Sequence, residues 1–203
     1  MSLCRFGGMR TMRSMIRVAM SGAWPDGFAM LEGTMDDLEN PFVSFQYAIA
    51  NALMQWQLIE HRVFQLFMES IDCRSKTYVA AAYHAAIHFD TKVRMTDEIL
   101  RLRLAEDPLL EEWTTLRNRL RKRIKSRNKL VHWFHESETI AKRGEISHIW
   151  RLAPNFLDPR PSEQPLSKAE IEGIRSLFSQ LGGDLGVFVS KVKTSLASPE
   201  KSP

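Results

Sequence analysis

Arg127 and His132 are the pair of residues whose types and spacing suit joint chemistry. A guanidinium stays charged at any physiological pH, and its planar fork donates two parallel hydrogen bonds to a phosphate. An imidazole changes charge near neutrality and so moves protons. Five residues along a straight helix amount to about 7.5 Å of rise and about 140° of rotation, so one helix face cannot carry both. They converge where the helix ends near residues 130–132, or where a second subunit supplies one of them. A histidine near a helix C-terminus also has a plainer role, as a surface residue favoured by the helix dipole.

The elements that must position this pair follow from hydrophobic periodicity. Asn40-Pro41 opens a pattern in which Ile49, Leu53, Trp56, Val63, Phe67 and Ile71 recur at intervals near 3.6, which predicts a long helix over about 42–70. An alanine-rich helix is expected over about 76–90 and another over about 92–105. Asp107-Pro108 reads as an N-cap followed by proline at the first helical position. Leu110, Trp113, Leu116, Leu120, Ile124 and Val131 then line a fourth helix reaching about residue 132. Residues 133–165 carry Gly144 and four prolines, with an alternating run (Ile146, His148, Trp150, Leu152) that reads as a strand or hairpin edge. Ser167-x-x-Glu170 is a capping box, and Ile171 to Leu196 repeat at three and four, which predicts a last helix. Gly182, Gly183 and Gly186 within it call for a close helix–helix approach or a break near 182–183. The expected fold is an all-α antiparallel bundle of about five helices, with a short irregular or strand-like insertion before the last.

Wheel positions on these helices single out two polar residues. With Leu120 as zero, Ile124 falls near 40°, Val131 near 20° and Arg127 near −20°, so Arg127 lies within the apolar stripe of the fourth helix. On the first helix Glu60 lies between Val63 and Phe64, an acid on an apolar face. A buried charge needs a partner. A Glu60–Arg127 pair would either bridge two helices structurally or orient Arg127 toward a bound phosphate.

Charge is distributed unevenly. The chain has 28 Lys and Arg against 24 Asp and Glu, for a net +4. Between Leu116 and His132 stand Arg117, Arg119, Arg121, Lys122, Arg123, Lys125, Arg127 and Lys129 with no acid, so the remainder of the chain is net negative. One basic segment on a mildly acidic body points to one anionic partner. Two cysteines, Cys4 and Cys73, make no disulfide framework, and no run of about 18 apolar residues is long enough to span a membrane. A reducing, cytoplasmic setting is therefore expected.

The first 23 residues hold four arginines and no acid. That composition fits a mitochondrial transit peptide, or upstream sequence read from a start placed before a true start at Met30 or Met35; the lack of a sustained apolar face favours the second. Residues 1–37 are accordingly expected to be a poorly ordered segment, 38–197 one helical domain and 198–203 a frayed tail. His84 and His88 have a zinc-compatible spacing, but Ala85 stands where H-E-x-x-H requires glutamate, so neither metal nor cofactor is expected. No P-loop, dinucleotide fingerprint or nucleophile elbow is present.

Arg127-Asn128-Lys129-Leu130-Val131-His132, near the end of a basic helix, resembles the R-N-x-x-x-H signature of the HEPN (higher eukaryotes and prokaryotes nucleotide-binding) superfamily. The helix around Trp56, Glu60 and Phe67 and the last amphipathic helix also resemble bacterial HEPN-like proteins, over about residues 42–196. The resemblance implies a helical bundle that dimerises and places two R…H motifs in one cleft. It further implies a metal-independent endoribonuclease, a toxin with a cognate antitoxin or a phage-defence protein, or alternatively a non-catalytic module binding RNA, a nucleotide or a partner protein. Arg127, His132 and Asn128 would be its functional residues, with Glu60 supporting. Arg117, Arg119, Arg121, Lys122, Arg123, Lys125 and Lys129 would track RNA, and Trp133, where typical members have a small residue, would narrow the cleft or offer a stacking surface.

Overall fold

The structure is a computed structural model that describes residues 40–142, 145–154 and 163–197. The segment 1–37 and the tail 198–203 lie outside the described residues. Helix α1 (Pro41–Ser70) begins where Asn40 Oδ1 accepts the Phe42 N–H at 2.9 Å, with Pro41 at a position whose missing N–H costs nothing. There follow α2 (Lys76–Ala85), α3 (Phe89–Arg103), α4 (Leu109–His132), an antiparallel hairpin of β1 (Phe134–Lys142) and β2 (Glu145–Ala153), and α5 (Lys168–Ala197). The expected all-α bundle with a strand insertion before the last helix is what the chain forms.

Caps act where the sequence placed them. Asp107 Oδ1 accepts the Leu109 N–H at 2.9 Å, and its other oxygen accepts the Ser195 hydroxyl at 2.7 Å, tying the start of α4 to the end of α5. Ser167 and Glu170 close a reciprocal box, in which Glu170 Oε2 accepts the Ser167 N–H at 2.7 Å and Ser167 Oγ accepts the Glu170 N–H at 3.3 Å. That hydrogen bonding holds the Glu170 carboxyl below its ordinary pKa.

The bundle's registers can be read from a few contacts. Helices α1 and α5 run parallel: Lys168 Nζ donates to Ser44 Oγ at 2.6 Å, Trp56 packs on Phe178 at 5.2 Å, and Gly182 lies against Leu58 and Ile59. Helix α5 is continuous through its glycines, and two of them serve close approach: Gly182 is buried under α1, and Gly186 lies beneath the Arg62 guanidinium. Helix α4 runs antiparallel to α5 through Glu112–Lys191 at 2.9 Å, Arg119–Asp184 at 2.7 Å and the stacked Trp113–Phe188 rings. Helix α3 packs on α1 and α4, and its first residue, Phe89, meets Trp56 at 5.0 Å.

Two expectations are revised. The alanine-rich helix stops at Ala85 rather than near 90, and His88 becomes the residue preceding α3. His84 and His88 therefore do not share one helix. Among the described residues, no group of three metal-ligating side chains converges. The hairpin is also longer than the alternating run indicated: β1 (FHESETIAK) is mostly polar and is held by backbone pairing to β2. Its inner face seats Trp150 on Phe42 at 4.3 Å and His135 against Phe42 and Phe45, while Leu152 and Leu166 exchange backbone hydrogen bonds of 2.9 and 2.8 Å. No described helix is long and apolar enough to cross a membrane.

Candidate functional site

The basic segment forms α4, whose flanks are covered unequally. Extrapolating the registers, Phe89 at the start of α3 stands level with about residue 125 of α4, so roughly the last two turns of α4 run beyond α3 on that side. Helix α5 still covers the opposite flank. This explains why Leu130 is buried (4% exposed) while Val131, predicted on the apolar stripe, is 43% exposed. Asn128 and His132 are exposed on the same uncovered side.

Arg127 is half-buried, as its place near the stripe predicted, but its partner is not Glu60. Arg127 Nη1 donates to Asn128 Oδ1 at 3.3 Å. Glu60 accepts the Trp56 Nε1–H at 2.6 Å, and no ion pair joins it to Arg127 among the described residues. The reason is axial register. Through α5, Arg127 is level with about residue 52 of α1, which leaves Glu60 roughly 12 Å further along. Glu60 instead faces Tyr83, whose phenol is buried without a hydrogen-bond partner. Burial first, and the Glu60 charge second, push that phenol pKa up.

The eight basic residues of α4 separate into groups. Arg117 bonds Asp97, Arg119 pairs with Asp184, and Lys129 pairs with Glu163 at 3.2 Å while lying 4.6 Å over the Trp133 ring. These three have carboxylate partners within the chain. Arg121, Lys122 and Lys125 are exposed and Arg123 half-buried, and none of the four has an ion-pair partner among the described residues. Trp133 is half-buried against the core, capped by Lys129, whereas the next residue, Phe134, is 54% exposed.

Asp97 was overlooked by the sequence reading and organises the wall behind this surface. It is 7% exposed, accepts the buried Trp113 Nε1–H at 2.9 Å, and bonds Arg117 and, at 3.2 Å, Arg101. Desolvation raises its pKa, but the Trp113 and Arg117 hydrogen bonds and both arginine charges outweigh it, and the carboxyl is held below its ordinary value. The signal was available: Val93, Asp97, Leu100 and Leu104 follow the apolar spacing, with an acid in place of an aliphatic residue.

Within one chain, Arg127 and His132 point to different sides of α4. Surface depressions at the α3–α4 turn (Glu106, Pro108, Glu111) and along α5 (Val187, Lys191, Thr194) include neither residue. No protein-family model, curated protein or solved structure matches the chain.

Proposed function

We propose that the chain is a HEPN-like, metal-independent endoribonuclease that works as a homodimer in the cytoplasm. The observation that supports this reading is that the R-N-x-x-x-H segment ends α4 beyond the start of α3, with His132 exposed beside cations that have no ion-pair partner among the described residues. In the reaction, the 2′-oxygen attacks the adjacent phosphorus while His132 takes its proton. The 5′-oxygen leaves with a proton from the partner subunit's His132, giving a 2′,3′-cyclic phosphate and a free 5′-hydroxyl. Arg127 offsets the charge that develops on the phosphorane. A second copy is part of the proposal because the two side chains of one chain diverge. A toxin with a cognate antitoxin, or a phage-defence effector, is the setting such an activity suits.

That same divergence favours the second reading, a non-catalytic module that docks RNA, a nucleotide or a partner protein. The test is incubation of total RNA in EDTA with wild type and with His132→Ala. Cyclic-phosphate ends from wild type alone are expected. Cleavage by both proteins overturns the mechanism, and RNA that is bound but uncut establishes the module.

A further inference from the structure

We infer that the open edge of β1 is an interface between two copies of this chain, in which the two β1 strands pair and the two hairpins become one four-stranded antiparallel sheet. The contact stands apart from the nuclease reading and from the cleft which that reading requires.

The direction of the backbone groups along β1 is fixed by its neighbours. Leu152 and Leu166 exchange both backbone hydrogen bonds, so the N–H and C=O of Leu152 point away from β1. Facing residues of an antiparallel ladder alternate between bonded and non-bonded pairs, so His135, which faces Leu152, also turns its N–H and C=O away from its partner strand. Ser137, Thr139 and Ala141 follow at steps of two. The Ser147 hydroxyl donates to the Ile140 carbonyl at 3.4 Å, as expected of a residue in the set turned toward β2. Leu166 meets the outer edge of β2, whereas the outer edge of β1 has no backbone partner among the described residues.

Such an edge is a template for further pairing, and proteins blunt it with proline, a bulge or a short strand. Strand β1 is nine residues long and has no proline, and its register with β2 runs unbroken from Phe134 to Lys142. Only the base of the hairpin is seated on the bundle, through His135, Trp150 and Leu152, while residues 136–139 and 146–149 are exposed. A ribbon of two strands is marginal alone, and two further strands stabilise it.

The charges on β1 make it complementary to itself. A symmetric antiparallel pair of β1 strands has its two-fold axis at one residue of each copy. An axis at Ser137 sets Glu136 opposite Glu138 of the partner subunit, and an axis at Glu138 sets the two Glu138 together; like charges directly opposite repel. An axis at Thr139 sets Glu136 opposite Lys142 of the partner subunit, twice by symmetry, and pairs the two Thr139. An axis at Ile140 keeps an acid–lysine match but shortens the overlap. With the axis at Thr139, the outward groups of Ser137, Thr139 and Ala141 meet those of the second copy in about six backbone hydrogen bonds. The two His132 then lie roughly 45 Å apart along the strands, so this contact is additional to one that brings them together.

The test is the mass of the full chain in solution, by light scattering after size exclusion, for wild type, Thr139→Pro, Glu136→Lys, Lys142→Glu and the exchanged pair Glu136→Lys/Lys142→Glu. Proline at 139 removes an outward N–H and no N–H bonded to β2, and is expected to halve the mass of the wild-type assembly. Each single charge reversal should weaken association at least about five-fold, and the exchanged pair should restore it, which a folding defect would not do. Cross-linking decides the matter if Thr139→Pro fails to fold. In a Cys4→Ser/Cys73→Ser background, Thr139→Cys is expected to form an intermolecular disulfide on mild oxidation, because directly paired Cα atoms lie about 5.5 Å apart. Ser137→Cys, about 14 Å from its counterpart, should not. A monomeric wild type at high protein concentration, a mass unchanged in folded Thr139→Pro, an exchanged pair no better than the single reversals, or equal cross-linking at 137 and 139 overturns the inference.

Discussion

Asp97 supplies the sharpest test of how α4 is held. Replacing it with alanine removes a carboxylate that is 7% exposed and leaves two buried groups behind, the Trp113 indole N–H and the Arg117 guanidinium. Arg117 Nε already lacks a hydrogen-bond partner, so the guanidinium would keep its desolvation cost and lose the bonds that offset it. Breaking one side of a buried ion pair costs about 3–5 kcal/mol. For a chain of this size, that corresponds to a fall in melting temperature of roughly 6–20 °C.

Asp97→Asn keeps an oxygen for Trp113 but loses the charge, and should cost about 2 kcal/mol. Urea unfolding followed by far-UV circular dichroism gives both values. A double-mutant cycle with Arg117→Met should show a coupling above about 1 kcal/mol, because each partner's loss strands the other. The pH dependence has a definite sign. The folded-state pKa of Asp97 is depressed, so its contribution is complete above the ordinary carboxylate range and is lost as pH falls through the folded value. Asp97→Asn should remove that part of the acid destabilisation. An Asp97→Ala loss below about 1 kcal/mol, as for a surface acid, or additive single and double variants, would refute the reasoning.

Two further outcomes are expected in α5. Gly183 is exposed, and a Cβ built there meets nothing within 4 Å, so Gly183→Ala should stabilise the protein by about 0.5–1 kcal/mol in urea unfolding. A loss instead would mean that this surface carries a contact the structure does not show. Ser167→Ala removes the hydroxyl's hydrogen bonds with Glu170 but keeps the Ser167 N–H donor, and should cost about 1 kcal/mol, with the Glu170 carboxyl moving only part of the way toward its ordinary pKa by NMR titration. An unchanged Glu170 titration would show that its depressed pKa has another origin.

Much of the architecture was legible in the sequence because it depends on local rules. Periodicity near 3.6 located the long helices, and Asn40, Asp107 and the Ser167–Glu170 box marked starts that their side-chain hydrogen bonds bear out. Strand β1 was not legible, since its polar residues owe their conformation to pairing with β2 and not to any pattern of their own. The basic segment was evident from residue types alone, as were the positions of Arg127 and His132 on different sides of one helix.

Partners were decided by tertiary structure. A helical wheel states which way Glu60 points on its own helix, but not which helix stands opposite or at what height. Parallel α1 and α5 with antiparallel α4 set Glu60 about 12 Å from the level of Arg127, which leaves Glu60 its neighbour Trp56 on the same helix. Packing also brought Asp97 to Arg117, Asp184 to Arg119 and Glu163 to Lys129, dividing a uniform run of charge into structural pairs and cations without an ion-pair partner among the described residues. Periodicity is a property of one segment, whereas an ion pair between elements needs two segments at a fixed offset, and only packing supplies that offset.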